Sequence, residues 1–128
     1  GLKWAVLADS DRTAAGSEMG QNAQKLQATC PQSCCSLNFL TRTNIENYLD
    51  AGIVKQNTGI DCVIPTYGKP TDLAGNAFGK RTLKKIKDAG QDVVNQMGVS
   101  GIVSCSQDGN GDCEFVTIFE QLKKAFGL

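Results

Sequence analysis

Apolar residues recur at helical spacing near the start of the chain, at the positions Ala8, Ala15, Met19, Ala23, Leu26 and Cys30. This periodicity predicts one long amphipathic helix over residues 1–29. Residues 2–8 are apolar almost all round, and such a surface belongs in a core or against a partner. We therefore expect the helix to carry an assembly face, formed by Trp4, Leu7, Ala15 and Met19.

A capping motif marks the middle of the chain. Thr43 and Glu46 have the spacing of a capping box, in which Thr43 is the N-cap and Glu46 reaches back to its amide. The motif predicts a short helix that ends at Gly52. Residues 60–67 then predict a strand, which Pro65 confines to an edge or an end of a sheet.

Residues 80–97 predict a second amphipathic helix, which Gly98 would end. Basic residues crowd its first half, at the positions Lys80, Arg81, Lys84, Lys85 and Lys87. Because the helix dipole favours the opposite order of charges, this patch is a candidate for facing an anionic partner. An ordinary solvated face is the alternative, and the zero net charge of the chain favours it.

The C-terminal part of the sequence predicts a β-hairpin followed by a short helix. Residues 101–105 and 112–116 flank residues 108–111, which have the composition of a turn. If the two strands pair, Cys105 and Cys113 face each other across the hairpin. Opposed positions of antiparallel strands have the separation that a disulfide needs.

Six cysteines and no histidine constrain the setting of the protein. An even number of cysteines in a small domain is typical of a disulfide framework, which places the protein outside a reducing cytosol. We therefore expect it to be secreted or at the cell surface, with a reduced cytosolic chain as the alternative. Cys105–Cys113 is the predicted pair. The remaining cysteines allow three pairings: Cys30, Cys34, Cys35 and Cys62.

The balance of charge argues against binding to a polyanion. The chain has 13 Lys and Arg residues and 13 Asp and Glu residues. We therefore expect protein partners, with self-assembly favoured, and no recruitment of nucleic acid. No stretch approaches the ~20 apolar residues of a membrane span, so a membrane stage is expected only for a longer precursor.

The predicted turn overlaps a partial calcium-binding pattern. The candidate oxygen ligands are Asp108, Asn110, Asp112 and Glu114. Ser106 occupies the first-ligand position, and Thr117 stands where a bidentate glutamate is expected. The match is incomplete, so a plain turn is preferred and calcium is the one cofactor that stays open.

Few residue types are available for catalysis. A cysteine nucleophile would lack a histidine to activate it, and paired C-x-x-C ligands for zinc are absent from the sequence. A hydrolase that uses two carboxylates is the enzyme class left open. No pair stands out among the 13 acidic residues, so we predict a protein that is not an enzyme.

The order of the predicted elements resembles the globular part of a type IV pilin or pseudopilin. In pseudopilins a D-P-W-G-N-x-Y-like stretch follows the helix, and residues 71–78 match it at Asp72, Gly75, Asn76 and Phe78. Leu73 and Ala74 replace the proline and tryptophan of that stretch. The resemblance implies that about two dozen apolar residues precede Gly1 in a longer precursor and form a filament core.

These observations predict a single α+β domain over residues 1–128. A long N-terminal helix would pack on a small antiparallel β-sheet in residues 30–128, with short additional helices and disulfide staples. The predicted function is a non-enzymatic extracellular structural subunit of a pilus-like filament, a fimbrium-type protein of cell adhesion that assembles through residues 2–26. The alternatives are a secreted cysteine-rich effector or toxin that binds a host target through residues 80–87, or a calcium-dependent binding module.

Overall fold

The computed structural model describes residues 2–107 and 112–128. Two short strands come first, separated by a helix, and the rest of the described chain is mainly helical. The elements are β1 (Ala5–Ala8), α1 (Gln21–Thr29), β2 (Ser36–Phe39), a 3₁₀ helix (Ile45–Tyr48), α2 (Ala51–Thr58), α3 (Lys80–Asp88), α4 (Gly90–Cys105) and α5 (Glu114–Phe126).

The N-terminal segment is a β1–α1–β2 unit, so the predicted long helix over residues 1–29 is wrong. β1 and β2 pair in parallel, with Ala5 opposite Ser36 and Ala8 opposite Phe39. An apolar run without alternation suits a strand of a parallel pair as well as a buried helix. The predicted antiparallel sheet is wrong as well, because the crossover through α1 returns the chain in the same direction.

The predicted assembly face does not lie on one helix. Trp4 and Leu7 belong to the strand segment, and Ala15 lies in the loop between β1 and α1. Met19 directly precedes the N-cap of α1, Gly20. The periodicity of these residues therefore does not translate into a common surface.

Two apolar clusters form the core. The larger one joins α2, α3 and α4 through Val54, Ile86, Val93 and Met97, with Cys62 from the loop after α2. The smaller one joins the end of β2 to the 3₁₀ helix and α5 through Leu40, Tyr48 and Ile118. No helix in the described part of the chain is long and apolar enough to cross a membrane.

The amphipathic helix predicted over residues 80–97 is confirmed in two pieces, α3 and the first half of α4. Gly98 interrupts the helix as predicted, because its φ of 65° and ψ of −178° are not helical, and a second helical segment follows it to Cys105. The predicted strand over residues 60–67 is reduced to one bridge between Val63 and Thr71.

The predicted C-terminal hairpin is wrong, because both of its strands are helical. Residues 101–105 complete α4, and α5 begins at Glu114. A single antiparallel bridge joins Gln107 to Cys113, and the predicted turn at residues 108–111 lies outside the described residues.

The predicted disulfide staples are wrong, since the six cysteines are free thiols. Cys105 packs against the larger core cluster at the end of α4. Cys113 is the N-cap of α5, and its Sγ lies 2.8 Å from Ser106 Oγ. Cys34 donates to the carbonyl of Ser36 at 3.2 Å. The hairpin that would have placed Cys105 opposite Cys113 does not form.

Candidate functional site

Acidic residues follow both parallel strands at the same edge of the sheet. Asp9 and Asp11 come directly after β1, and Glu46 lies in the 3₁₀ helix that follows β2. The carboxyl ends of parallel strands are where ligands bind in open α/β sheets. This edge is therefore the first place to look for a site.

Backbone and side-chain hydrogen bonds tie the two strand-end segments together. Ser10 is fully buried, and its Oγ donates to the carbonyl of Arg42 at 2.8 Å. The amide of Asp11 donates to the carbonyl of Thr43 at 3.0 Å. The amide of Ile45 donates to Asp9 Oδ1 at 2.9 Å. These bonds hold the acidic residues in place before any ligand arrives.

Asp11 has an unusual backbone and a close neighbour. Its φ of 54° lies in the left-handed region, which aspartate tolerates better than most residues. Gly20 packs directly against it, because a Cβ built on Gly20 would lie 2.5 Å from the Asp11 Cβ. The Gly20 amide also donates to the carbonyl of Ser10 at 2.9 Å. The start of α1 thus clamps the first acidic loop.

The capping box predicted for Thr43 and Glu46 is wrong by one residue. Asn44 is the N-cap of the 3₁₀ helix, and its amide donates to Asn47 Oδ1 at 2.8 Å. Thr43 instead accepts from the amide of Gly68 through its Oγ1 at 2.7 Å. Glu46 therefore does not cap this helix, and its carboxylate can contact other partners.

Burial and the neighbouring carboxylates act on the pKa of Asp9. Partial burial raises the pKa of Asp9, and the negative charges of Glu46 and Asp11 raise it further. The hydrogen bond from Ile45 and the positive charge of Lys87 act in the opposite direction. Asp9, Asp11 and Glu46 are called the carboxylate cluster below.

A cavity of about 400 Å³ adjoins this cluster, with Glu46 in its wall. Four lysines line this cavity, which is called the lysine cavity below: Lys69, Lys80, Lys84 and Lys87. Three of them belong to the predicted basic patch, while its other two members, Arg81 and Lys85, are outside the lining. Lys69 comes from the loop before α3, and periodicity along a helix could not have included it.

Two ion pairs fix the charges near this cavity. Lys87 Nζ lies 3.3 Å from Glu46 Oε1, and the Glu46 side chain is only 13% exposed. Lys84 Nζ lies 2.7 Å from Asp88 Oδ2 on the exposed side of α3. The cavity wall therefore contains anionic and cationic side chains that are paired with each other.

Glu114, a predicted calcium ligand, is committed elsewhere. Its carboxylate accepts from the Thr41 hydroxyl at 2.6 Å, from the Thr41 amide and from the Tyr48 hydroxyl. Burial and the bond to Glu114 raise the pKa of Tyr48, so Tyr48 remains a donor. Asp112 is described, whereas Asp108 and Asn110 lie outside the described residues. Calcium binding by that loop stays a prediction.

The sequence contains one signal for the carboxylate cluster. The motif Asp-x-Asp at Asp9 and Asp11 directly follows the apolar residues 5–8. Interpreted as a buried parallel strand, that run would have placed the two carboxylates at a ligand-binding edge. Interpreted as part of a helix, the same apolar run gave no indication that the two carboxylates lie at such an edge.

Comparison of the chain with models of known protein families, with curated proteins and with solved structures returns no match. The function therefore has to be argued from the geometry of the carboxylate cluster and the lysine cavity.

Proposed function

We propose that the protein binds a divalent cation such as Mg²⁺ at the carboxylate cluster and acts on a phosphate ester held in the lysine cavity. One observation supports this most strongly. Carboxylates from the ends of two parallel strands lie next to a cavity lined by four lysines, and Glu46 belongs to both. The reaction class that fits is cation-dependent cleavage of a phosphoester bond.

The number of protein ligands suits magnesium. Within residues 2–107 and 112–128, no three His, Cys, Asp or Glu side chains are placed so that they alone could hold a metal ion. Mg²⁺ commonly uses one or two carboxylates and completes its octahedron with water and substrate phosphate oxygens. Asp9 and Glu46 are the two carboxylates that the proposal assigns to the ion.

The energetic cost of the cluster supports a role in binding. Partial burial and then the negative charges of Glu46 and Asp11 disfavour the ionisation of Asp9. A divalent cation would remove this repulsion. The hydrogen bond that the Ile45 amide donates to Asp9 and the one that the Asp11 amide donates to the carbonyl of Thr43 hold the groups in place despite it.

The lysine cavity supplies the other half of the site. Lysine ammonium groups bind phosphate as point charges, and Lys69 and Lys80 approach from different segments of the chain. A cavity of about 400 Å³ is large enough for a phosphate with an attached organic group.

The chemistry divides between the ion and the chain. A bound divalent cation would lower the pKa of a coordinated water and stabilise charge on the phosphate. Asp9 and Glu46 would hold the ion, and the cavity lysines would hold the nonreacting phosphate oxygens. In such a hydrolysis the attacking water would give one proton to solvent as its oxygen bonds to phosphorus, the ester P–O bond would break, and the leaving oxygen would take a proton from solvent.

The filament hypothesis has lost its structural basis, because the long N-terminal helix on which it depended is not formed. Filament assembly, the effector role and extracellular localisation remain untested predictions. The contacts described above favour none of them over the phosphoesterase proposal.

Hydrolysis of bis(p-nitrophenyl) phosphate tests the proposal. We expect turnover that requires Mg²⁺ or Mn²⁺, stops with a chelator, and is lost in Asp9→Asn. Lys85→Met, which changes an exposed lysine outside the cavity, should retain the activity. Turnover that is equal in Asp9→Asn and the unchanged protein would contradict the proposal, as would no turnover with either ion.

A further inference from the structure

A cavity of about 250 Å³ lies between the 3₁₀ helix, α4 and α5 and is called the apolar cavity below. Among the described residues, every side chain in its wall is apolar except that of Tyr48, whose hydroxyl donates to Glu114. Two large side chains of this wall stay in contact with solvent, since Phe119 is 62% exposed and Ile45 is 48% exposed. An apolar ligand in the cavity would remove this surface from water.

The interruption of α4 at Gly98 shapes the apolar cavity. Val94, Met97 and Ile102 all line it. In an uninterrupted helix, side chains five positions apart would point about 140° apart, at about 100° per residue. Gly98 lies between Met97 and Ile102, and its φ of 65° redirects the second helical segment. The backbone at Gly98 therefore lets side chains from both segments line one concave apolar surface.

A second cavity of about 250 Å³ lies between the apolar cavity and the lysine cavity. It shares the side chains of Ile45, Leu49 and Val94 with the apolar cavity. It shares those of Glu46 and Lys87 with the lysine cavity. The three cavities therefore follow one another along the 3₁₀ helix, α3 and α4, and together they are called the groove below. One end of the groove is apolar and the other is rich in lysine.

The lysine end of the groove has an excess of positive charge. Two of its four lysines pair with acidic residues of the same wall, Glu46 and Asp88. The other two, Lys69 and Lys80, have no ion pair in the part of the chain that the structure describes. The excess of two positive charges matches a phosphate monoester, which carries a charge of about −1.5 to −2 at pH 7.

We propose that the groove binds a single-chain alkyl phosphate, with its phosphate in the lysine cavity and its alkyl chain in the apolar cavity. The apolar wall favours an alkyl chain, because polar groups in that chain would lose water without gaining hydrogen-bond partners. The positive charge at the other end favours the phosphate. The inference shares the lysine cavity with the function proposed above, where the alkyl chain would be the organic part of the ester. It requires neither a bound cation nor hydrolysis.

Isothermal titration calorimetry with butyl, octyl and dodecyl phosphate tests this inference on the full chain. A chelator is present, and each ligand stays below the concentration at which it forms micelles. Affinity should rise about fourfold for each methylene group that the groove buries. Dodecyltrimethylammonium has the same chain and a positive head, so it should bind much more weakly than dodecyl phosphate.

Two pairs of variants test the two ends of the groove. Phe119→Gln should weaken dodecyl phosphate binding several-fold and leave butyl phosphate binding unchanged, because Phe119 lines the apolar cavity and neither of the other two. Val116→Gln is its control, since Val116 is an exposed apolar residue of α5 outside the groove. Lys80→Met should weaken the binding of both ligands roughly two- to fivefold, whereas Lys85→Met should weaken neither.

Equal affinity for butyl and dodecyl phosphate would overturn the inference, as would equal losses in Phe119→Gln and Val116→Gln. Self-association that Phe119→Gln abolishes, without binding of dodecyl phosphate, would also overturn it and would assign the apolar cavity to a second copy of the chain.

The proposed function can fail separately from this inference. Binding of dodecyl phosphate that depends on Phe119 and Lys80, without turnover of bis(p-nitrophenyl) phosphate, would support the inference and contradict the proposed function. Turnover of that substrate together with affinities that do not depend on chain length would contradict the inference alone.

Discussion

Glu46 and Glu114 occupy similar positions in their helices but have opposite surroundings. Each lies in the first turn of a helix near the end of β2. Glu114 accepts hydrogen bonds from the neutral groups of Thr41 and Tyr48. Glu46 instead lies near the charge of Asp9 and pairs with the ammonium of Lys87.

The difference separates a carboxylate with neutral hydrogen-bond donors from the one that we propose binds a cation. Neutral donors satisfy the lone pairs of Glu114, and the N-terminal end of α5 favours its negative charge. Near Glu46, burial and the two neighbouring carboxylates disfavour the charged form of Asp9, and a cation there would favour it. Burial alone would not distinguish the two residues. The charges around them do.

The largest expected effect comes from removing each glutamate in turn. Glu114→Ala should lower the free energy of unfolding by about 2–3 kcal/mol, because it leaves the buried Tyr48 hydroxyl without its carboxylate partner. Glu46→Gln keeps the shape of the side chain and loses an ion pair whose lysine is 65% exposed, so it should change the free energy of unfolding by less than about 1 kcal/mol. Urea denaturation of both variants measures these effects.

The effects of the two substitutions on Mn²⁺ affinity should have the reverse order of their effects on stability. Glu46→Gln should lose most of its Mn²⁺ affinity, whereas Glu114→Gln should keep the affinity of the unchanged protein. If Glu114→Gln abolished Mn²⁺ binding and Glu46→Gln did not, the assignment of the two glutamates would be inverted.

A smaller effect is expected at Gly20, which supports the carboxylate cluster from α1. Gly20→Ala places a methyl group 2.5 Å from the Asp11 Cβ, so Asp11 or α1 must shift. We expect a loss of about 1–3 kcal/mol in unfolding free energy and a several-fold loss of Mn²⁺ affinity. Thermal denaturation and Mn²⁺ titration measure the two losses.

Gly79→Ala is the control for Gly20→Ala. Gly79 is also a helix N-cap with nearly the same backbone angles, and a Cβ there would meet no atom within 4 Å. Both variants share any loss of capping, so the difference between them isolates the contact with Asp11. Equal losses of stability and of affinity would show that Gly20 does not position Asp11.

The smallest expected effects concern the pH dependence of two aspartates. Hydrogen bonds from the amide and side chain of Asn76 hold the pKa of Asp72 below its usual value of 3.8. Its stabilisation is present above that value and is lost as pH falls through the folded pKa. Asp9 has a raised pKa, so stability is lost as pH rises through the interval between 3.8 and its folded pKa.

Substitution by asparagine should therefore have opposite effects at the two positions. At about pH 7, Asp9→Asn should raise the urea midpoint and Asp72→Asn should lower it. About pH 3 lies below the interval between 3.8 and the folded pKa of Asp9. At that pH, Asp9→Asn should leave the urea midpoint unchanged, and the decrease in midpoint caused by Asp72→Asn should be smaller. A lower urea midpoint for Asp9→Asn at neutral pH would show that the negative charge of Asp9 does not destabilise the folded protein.

Part of the fold could be predicted from the sequence, and the reasons for the rest are physical. The amphipathic stretch at residues 80–97 fits one periodicity over several turns, so its helices were predictable. The apolar run at residues 2–8 lacks a periodicity of its own, and only its pairing with β2 makes it a strand. The cysteine count describes composition and contains no geometry, so it could not show that Cys105 and Cys113 end on separate helices.

The site was less predictable than the fold. In the sequence, a local capping motif accounted for the presence of Glu46. The structure places the N-cap at Asn44, so the Glu46 carboxylate does not cap the helix and can contact other groups. The contact between Glu46 and Lys87 spans a sequence separation that no local pattern reaches. The basic patch was predictable in part, because three of its lysines share one side of α3.

Paramagnetic broadening by Mn²⁺ in a two-dimensional amide spectrum tests the central claim most directly. We predict that substoichiometric Mn²⁺ first broadens the amides of Ser10, Asp11 and Ile45, and that Mg²⁺ competes with this effect. The amides around Glu114 and Asp72 should keep their intensity at the same Mn²⁺ concentration. Broadening centred on Glu114 or Asp72, or no selective broadening, would contradict a cation site at the ends of the parallel strands.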